Sequence, residues 1–441
     1  MIDRRRITKF LFKGGLAILD QGLVTGVNFL VSIVLARWLS AEEYGAYALA
    51  FAVLLLLGLL YQALLLEPMG VFGASAYRKC FRSYLKAILW LHGICSVVVV
   101  VGVGSAAGIE LKFGSEASLA GALFGIAIAG PMILMFWMVK RAYYVQSAPG
   151  PSTVGGAAYC VVTLGILAVA YRYHQLSPFI AFVIMGVGAL AAGIPLLLYF
   201  FRSLPADCES TTLADTWQRH WRYGRWAVAS SALAWVPVNI FYPLVSSFSG
   251  MAQAGELKAL ANFSSPIGQA VAALSTLALP YAARHQERHG SAGGGMLSRW
   301  VSLLFISATV LYWCVFLGFR DPAFRILYSG KYMEVAYLLP AIALGSIFWS
   351  GFVGPANALR AMESPASVFV AVCCASGVAI AAGVPASWFW GLRGAVWVMA
   401  ASQGFGFVAA AILLRRRVQQ HAEIDSAAEV PTLPPDSISP L

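Results

Sequence analysis

The sequence predicts an all-α polytopic membrane protein, with about 12 transmembrane helices in two six-helix lobes related by a pseudo-two-fold axis normal to the membrane. Three observations carry this reading. Of the 441 residues, 60% are hydrophobic and only 11% charged, where a soluble domain carries roughly 25% charged residues. Apolar runs of about 20 residues, the length that crosses a bilayer, follow one another almost end to end. The Lys and Arg between these runs alternate in density from one interruption to the next, as topology signals do.

Taken in order, the spans fall at about 15–37, 44–66, 84–107, 117–138, 153–172, 178–201, 224–248, 255–282, 297–318, 334–356, 366–386 and 391–414. The basic start, with Arg4, Arg5, Arg6, Lys9 and Lys13, is also how a signal peptide begins. Here the apolar stretch runs past Leu35, contains Asp20, Gln21 and Asn28, and has no clear small-residue cleavage site. It is expected to stay as the first helix. An even number of spans puts both termini on one side. Assigning that side to the cytoplasm places 22 of the 30 Lys and Arg there, in agreement with the positive-inside rule.

The longest polar interruption, 202–223, separates an N-lobe of six spans (1–201) from a C-lobe of six (224–417). A faint repeat at an offset of 210 brackets the first spans of each lobe: Gly14 with Gly224, Ala17 with Ala227, Leu23 with Leu233, Gly45 with Gly255. Six spans per half give both halves the same orientation, as in transporters built from parallel repeats. The tail 418–441, with Pro431, Pro434, Pro435 and Pro440, is polar and expected to be disordered.

Several function classes are excluded. A net charge of +11 does not mean a nucleic-acid partner, because the basic residues form short clusters between apolar runs and offer no soluble basic face. The seven cysteines show no metal-ligand spacing. Cys95, Cys160, Cys314, Cys373 and Cys374 lie within apolar runs and are expected to be free thiols. No nucleotide loop, dinucleotide fingerprint, zinc pair or nucleophile elbow occurs, so neither an enzyme, a cofactor nor a metal is expected.

Polar side chains inside hydrocarbon are costly unless they face a cavity or another helix. In the first span Gln21, Thr25, Asn28 and Ser32 follow i, i+4, i+7, i+11, one narrow stripe. The seventh span has Ser231, Trp235, Val238 and Tyr242 at the same positions 210 residues later. The eighth repeats the spacing with Lys258, Asn262, Ser265 and Gln269, whereas its counterpart in the second span is wholly apolar. Such stripes are either helix–helix glue or the lining of a shared central cavity. Lys258, near the outer end of its span, is either a substrate contact or a lysine snorkelling toward water. Asp20 lies off the stripe and is either an H⁺ or Na⁺ coupling site or the partner of a cytoplasmic-side Arg or Lys. Arg37 is a gate residue or an interfacial anchor. Pro131, Pro195, Pro237, Pro243, Pro266 and Pro340 permit kinks within the spans.

The stretch 15–52 carries a motif: Asp20–Gln21, then Gly26, Asn28 and Phe29, then Ala36, Arg37, Trp38 and Leu39, then Glu43, Tyr44 and Gly45. It resembles the start of Wzx-type polysaccharide flippases, of the multidrug/oligosaccharidyl-lipid/polysaccharide exporter superfamily. The resemblance implies a two-lobed bundle whose central cavity opens alternately to each face of a bacterial inner membrane. It implies movement of undecaprenyl-diphosphate-linked oligosaccharides from the cytoplasmic to the periplasmic leaflet, for exopolysaccharide, capsule or O-antigen assembly. The implied partners are the lipid-linked oligosaccharide, membrane lipids, and the polymerase and glycosyltransferases of the pathway. Lipid II flippases of that superfamily carry basic residues around the first helix and cavity. Arg37 is a loose positional match to these. The rival reading is a cation-coupled multidrug exporter of the same fold, whose cavity should hold more buried carboxylates than this sequence offers.

Overall fold

The computed structural model describes residues 4–114, 116–205, 211–362 and 364–428, with side chains described outside 4–14, 276–292 and 421–428. These residues form fourteen α-helices and, among them, no strand. In chain order they are α1 (Arg4–Trp38), α2 (Ala41–Tyr61), α3 (Glu67–Phe72), α4 (Phe81–Phe113), α5 (Ala117–Val145), α6 (Pro149–Arg172) and α7 (Pro178–Ser203). There follow α8 (Leu213–Asn239), α9 (Phe241–Ser249), α10 (Met251–Asn262), α11 (Ser265–Gly318), α12 (Arg320–Tyr328), α13 (Leu339–Ala361) and α14 (Pro365–Ala428).

Nine stretches of the described residues are long and apolar enough to cross a membrane, ten when the bent pair α8–α9 counts as one span. The long helix α14 is two spans, because Gly391 interrupts it with φ 54° and ψ −138°, a conformation open mainly to glycine. The expected eighth span is α10 continued into the first part of α11. The chain is a multi-pass α-helical membrane protein. Its lipid-facing surfaces are as apolar as its core: on α4, Trp90, Val97, Val98 and Val101 are all exposed, an arrangement that only a hydrocarbon solvent tolerates.

Local chemistry sets the helix boundaries. Ser40 caps α2 in a reciprocal box with Glu43. Thr212 caps α8 by accepting from the Asp215 amide, so helix begins at Leu213 within the interruption 202–223. The helix α14 runs to Ala428, and residues 429–441, with the four tail prolines, lie outside the described residues. The 45° bend between α8 and α9 falls between Pro237 and Pro243, each of which lacks the N–H a straight helix needs there. Pro131 and Pro195, by contrast, sit inside unbroken helices.

The chain divides into two compact units. The first comprises 1–266, 316–342 and 379–399, so α1–α10 pack with α12 and with the segments on either side of Gly391. Inside it, α2 and α10 cross at the repeat-related glycines. A methyl group on Gly255 would lie 2.6 Å from the Ala41 carbonyl oxygen and 3.0 Å from the Gly45 nitrogen, and one on Gly45 would overlap the Met251 carbonyl. Two repeat-equivalent residues that touch must straddle the pseudo-two-fold axis, so the axis passes between Gly45 and Gly255. Small residues at such a crossing let two backbones approach in lipid, where packing is the main attraction.

The second unit comprises 267–315, 343–378 and 400–441. Its packing centres on Ala356, Leu359, Met362, Val368 and Leu414, with Val271, Phe305 and Val353 in a second cluster. Its helices are also joined by hydrogen bonds, among them Thr309 with Ser350 at 2.8 Å, Ser302 to the Gly351 carbonyl at 3.0 Å, and Asn357 donating to the Ser275 hydroxyl at 2.9 Å.

Candidate functional site

The first polar cluster forms around Asp20. Its side chain is 1% exposed, so its charge has to be met inside the bundle. Lys140 of α5 does so at 2.8 Å. The Ser152 hydroxyl donates to the carboxylate at 2.7 Å and the Tyr144 hydroxyl donates to the same oxygen. Gly156 gives the carboxylate room, since a methyl there would lie 2.6 Å from Oδ1. The geometry is that of a buried ion pair through Oδ1, with two hydroxyl donors on Oδ2.

The stripe on α1 is not uniform along its length. Gln21 is exposed and donates to Thr25 at a long 3.4 Å. Asn28 is half-buried and accepts from the Tyr159 hydroxyl at 3.0 Å. Asn28 and Tyr159 also line a small internal cavity of about 30 Å³ with Val24, Phe51 and Met185, a volume suited to one water molecule. Ser32 is buried and belongs to a closed hydrogen-bond ring. Its hydroxyl donates to Asn262 Oδ1 at 3.1 Å, Asn262 Nδ2 donates to the Tyr44 hydroxyl at 2.9 Å, and Tyr44 and Ser32 are 2.9 Å apart. The second Asn262 N–H reaches the Tyr328 hydroxyl at 3.3 Å, which donates onward to the Ala259 carbonyl at 2.9 Å. Every donor in the ring is used, as a buried polar network requires.

Next to this ring, the C-terminus of α1 is held by the segment between α11 and α13. Lys331 Nζ donates to the carbonyls of Arg37 and Leu39, both at 3.0 Å, and the Tyr332 hydroxyl donates to the Ala36 carbonyl at 3.3 Å. These carbonyls have no helical partner, and a cation suits the negative end of a helix. Arg37 itself is exposed and donates to the Ile326 carbonyl at 3.4 Å. Burial pushes the phenols of Tyr328 and Tyr332 well above their ordinary pKa, so both remain neutral donors.

The remaining candidates are scattered. Trp235 donates its indole N–H to the Ala52 carbonyl at 2.9 Å, Tyr242 is buried, and Ser231 is half-buried. Ser265 opens α11 half-buried, and Gln269 is exposed within the second unit. Lys258 is half-buried, with its ammonium 4.6 Å from the centre of the Phe51 ring, a cation–π contact. Among the described residues no carboxylate lies within ion-pair distance of it. Phe51 therefore touches both Lys258 and the cavity that Asn28 lines.

The pattern search missed Lys140, Tyr144, Ser152, Tyr44, Tyr159, Tyr328 and Lys331. All but Lys331 sit on helices where a lone polar residue sets up no stripe. A carboxylate at position 20 calls for a cation from the cytoplasmic-side Arg and Lys, but nothing in the pattern singles out Lys140. Lys331 carried no such signal. Cys95, Cys160, Cys314, Cys373 and Cys374 are free thiols. Among the described residues no group of three or more His, Cys, Asp or Glu is placed to hold a metal ion.

The fold is an all-α, multi-pass bundle, and it can be compared with known structures. No family model matches the chain, and no curated protein does. Among solved structures, it is similar to a multidrug resistance MATE family transporter of the MOP superfamily in an inward-facing conformation. The TM-score is 0.71 at 11% identity, over 92% of this chain and 99% of that one. It is similar also to the lipid II flippase MurJ in an inward closed conformation, with TM-score 0.70 at 11% identity over 95% and 94% of the two chains. A MATE structure in a straight conformation aligns with TM-score 0.64 at 10% identity, over 94% and 96%. The chain shares the fold of these structures.

Proposed function

We propose that the chain is a flippase that carries an undecaprenyl-diphosphate-linked oligosaccharide from the cytoplasmic to the periplasmic leaflet by alternating access, for exopolysaccharide, capsule or O-antigen assembly. The fold serves both a lipid II flippase and multidrug transporters, at nearly equal TM-scores of 0.70 and 0.71, so the charge of the site has to decide. The deciding observation is the imbalance between Lys258 and Asp20. Lys258 is half-buried beside the Phe51 wall without an acidic partner among the described residues, while the carboxylate of Asp20 is consumed by Lys140. A cation-coupled drug exporter needs the opposite: a free carboxylate for a cationic drug or its coupling ion. A diphosphate needs a cation in a partly desolvated place, where their attraction exceeds that at a surface.

The driving force fits this cargo. Each elementary charge crossing 100 mV is worth about 2.3 kcal/mol, so a diphosphate leaving a negative-inside cell gains from the membrane potential. Under this reading both termini are cytoplasmic in a bacterial inner membrane, the halves 1–201 and 224–417 are the moving lobes, and the Ser32 ring with the Lys331 contacts is the closed outer gate. The polymerase and glycosyltransferases of the same pathway are its proposed partners. The stripe residues Gln21, Thr25 and Asn28 are assigned to the path with Lys258. Arg37 is assigned to the gate.

The test is transport by Lys258 variants. Lys258→Ala is expected to cripple polysaccharide export at matched protein level, and Lys258→Arg to retain much of it, because a point charge needs no fork geometry. Normal export by Lys258→Ala, with ethidium efflux lost in the same strain, overturns the flippase reading in favour of drug export.

A further inference from the structure

A second site lies at the opposite end of the bundle from Arg37. There α8 and the turn after α3 enclose an open cleft of about 850 Å³, within the range of small-molecule sites. Two arginines line it, Arg219 and Arg222, along with Gln218 and the rings of Phe72, Tyr77 and Tyr223. Among the described residues neither arginine has a carboxylate within ion-pair distance. The acid on the cleft, Asp215, already accepts from the Thr212 hydroxyl at 2.6 Å. Arg219 is held 5.7 Å from the centre of the Tyr77 ring. Tyr77 is 7% exposed, and its buried hydroxyl has no hydrogen-bond partner among the described residues. A buried hydroxyl is rarely left so. Two guanidinium groups with no carboxylate partner among the described residues, beside a Tyr77 hydroxyl that has no hydrogen-bond partner among them, are a receptor for phosphate oxygens.

The depth of the cleft is marked independently. On another flank of α8, turned away from the arginines, Trp217 and Trp221 stack with ring centres 5.6 Å apart, and both are exposed. Exposed tryptophans on a membrane protein collect at head-group level. The helix is fixed in place by buried His220, whose Nδ1 donates to the Leu64 carbonyl at 3.1 Å while Nε2 accepts from the Tyr84 hydroxyl at 2.7 Å. The cleft is thus held on a fixed helix beside tryptophans of the kind that collect at head-group level.

We propose that this cleft is a loading site for a glycosyl-diphosphate lipid head in the cytoplasmic leaflet, with the diphosphate on Arg219 and Arg222 and the first sugar against Tyr223. The sugar and the leaflet rest on the flippase reading above. The phosphate class rests on the cleft itself.

The experiment uses the full chain in neutral phosphatidylcholine nanodiscs carrying polyprenyl-diphosphate-linked N-acetylglucosamine, with retained lipid read by native mass spectrometry. The double variant Arg219→Gln/Arg222→Gln is expected to retain at least tenfold less than wild type, and excess phosphatidylglycerol or UDP-N-acetylglucosamine is expected not to compete. Should the double variant fail to accumulate, Tyr223→Ala, at an exposed ring, is expected to show the same direction of loss. Equal retention by wild type and variant overturns the loading site and leaves the flippase reading standing. Displacement by phosphatidylglycerol makes it a general anionic-lipid site, and displacement by the UDP-sugar makes it a soluble-ligand site. Either result overturns the proposal. No retention by wild type in any arm brings down the flippase reading, and this site with it.

Discussion

Asp20 and Ser32 stand on the same helix, about 18 Å apart along its axis, and each is buried in a polar cluster. The two clusters differ in reach. The partners of Asp20 come from α5 and α6, all within the first six spans. The partners of Ser32 come from α2, α10 and, through Asn262, α12, so they join the two halves of the sequence. Under the proposed flippase reading, a rocking of the halves leaves the first cluster intact and has to break the second. The first cluster is built on an ion pair, and the ring at Ser32 on neutral hydroxyls and an amide, which are cheaper to separate.

Substitutions test this contrast, and the largest effect belongs to the permanent cluster. Lys140→Ala leaves the Asp20 carboxylate buried and unpaired, which costs about 3–5 kcal/mol. Accumulation in the membrane is expected to collapse, with a lowered melting temperature for whatever survives. Adding Asp20→Asn to that variant is expected to restore accumulation substantially, and a failure to do so would show that Asp20 has a role beyond pairing.

Next comes the glycine crossing. Gly255→Val drives a branched side chain against the Ala41 carbonyl, and overpacking of this kind costs about 1–3 kcal/mol. Thermal unfolding in detergent checks it. An unchanged melting temperature would mean that α2 and α10 do not cross at these residues.

The opening cluster should respond differently. Asn262→Leu strips Tyr44, Ser32 and Tyr328 of a shared partner, at about 1–3 kcal/mol. That loss is expected to appear as a shift in conformation more than as a loss of protein. A single cysteine in place of Ser32, in a cysteine-free background, is expected to label faster with a polar thiol reagent once Asn262→Leu is added. Unchanged labelling would mean that the ring does not hold that end shut.

The smallest effect is predicted for Arg37. Its side chain is exposed and makes one long contact to a carbonyl, so Arg37→Ala is expected to shift stability by less than about 1 kcal/mol, as read by melting temperature. The backbone carbonyls that Lys331 uses remain in place.

The sequence carried the spans well, because a 20-residue apolar run admits few alternatives in lipid. In the sequence the match of Gly45 with Gly255 is only a sign of a repeat, and that these two positions are where the backbones meet is tertiary information. Half of the stripe argument was legible. Periodicity put Ser32 and Asn262 on polar faces, yet it could not tell a cavity from a hydrogen-bond ring, because both need the same spacing. What separates them is the partner, and Tyr44 and Tyr328 are aromatic residues that give no polar periodicity. Asp20 was readable as a group in need of a cation. The site of Lys140 depended on how α5 packs against α1, which is tertiary information. The break at Gly391 was placed well because a glycine and a change of span coincide there.

One atom that the chain lacks has a consequence for how its halves are joined. Residue 68 is proline, so the Leu64 carbonyl, within the π-helical turn Gln62–Leu66, receives no amide from four residues ahead. That vacancy is taken by His220, from the first turns of the second half of the sequence. The omission of a hydrogen in one half thus creates the docking point for the other. Restoring it, as Pro68→Ala would, sets a local donor in competition with a remote one. The local amide is already tethered to the acceptor by four residues of chain, so it wins without having to find its partner. The imidazole would be displaced from its acceptor and the start of α8 loosened, although no side chain that touches His220 had been changed.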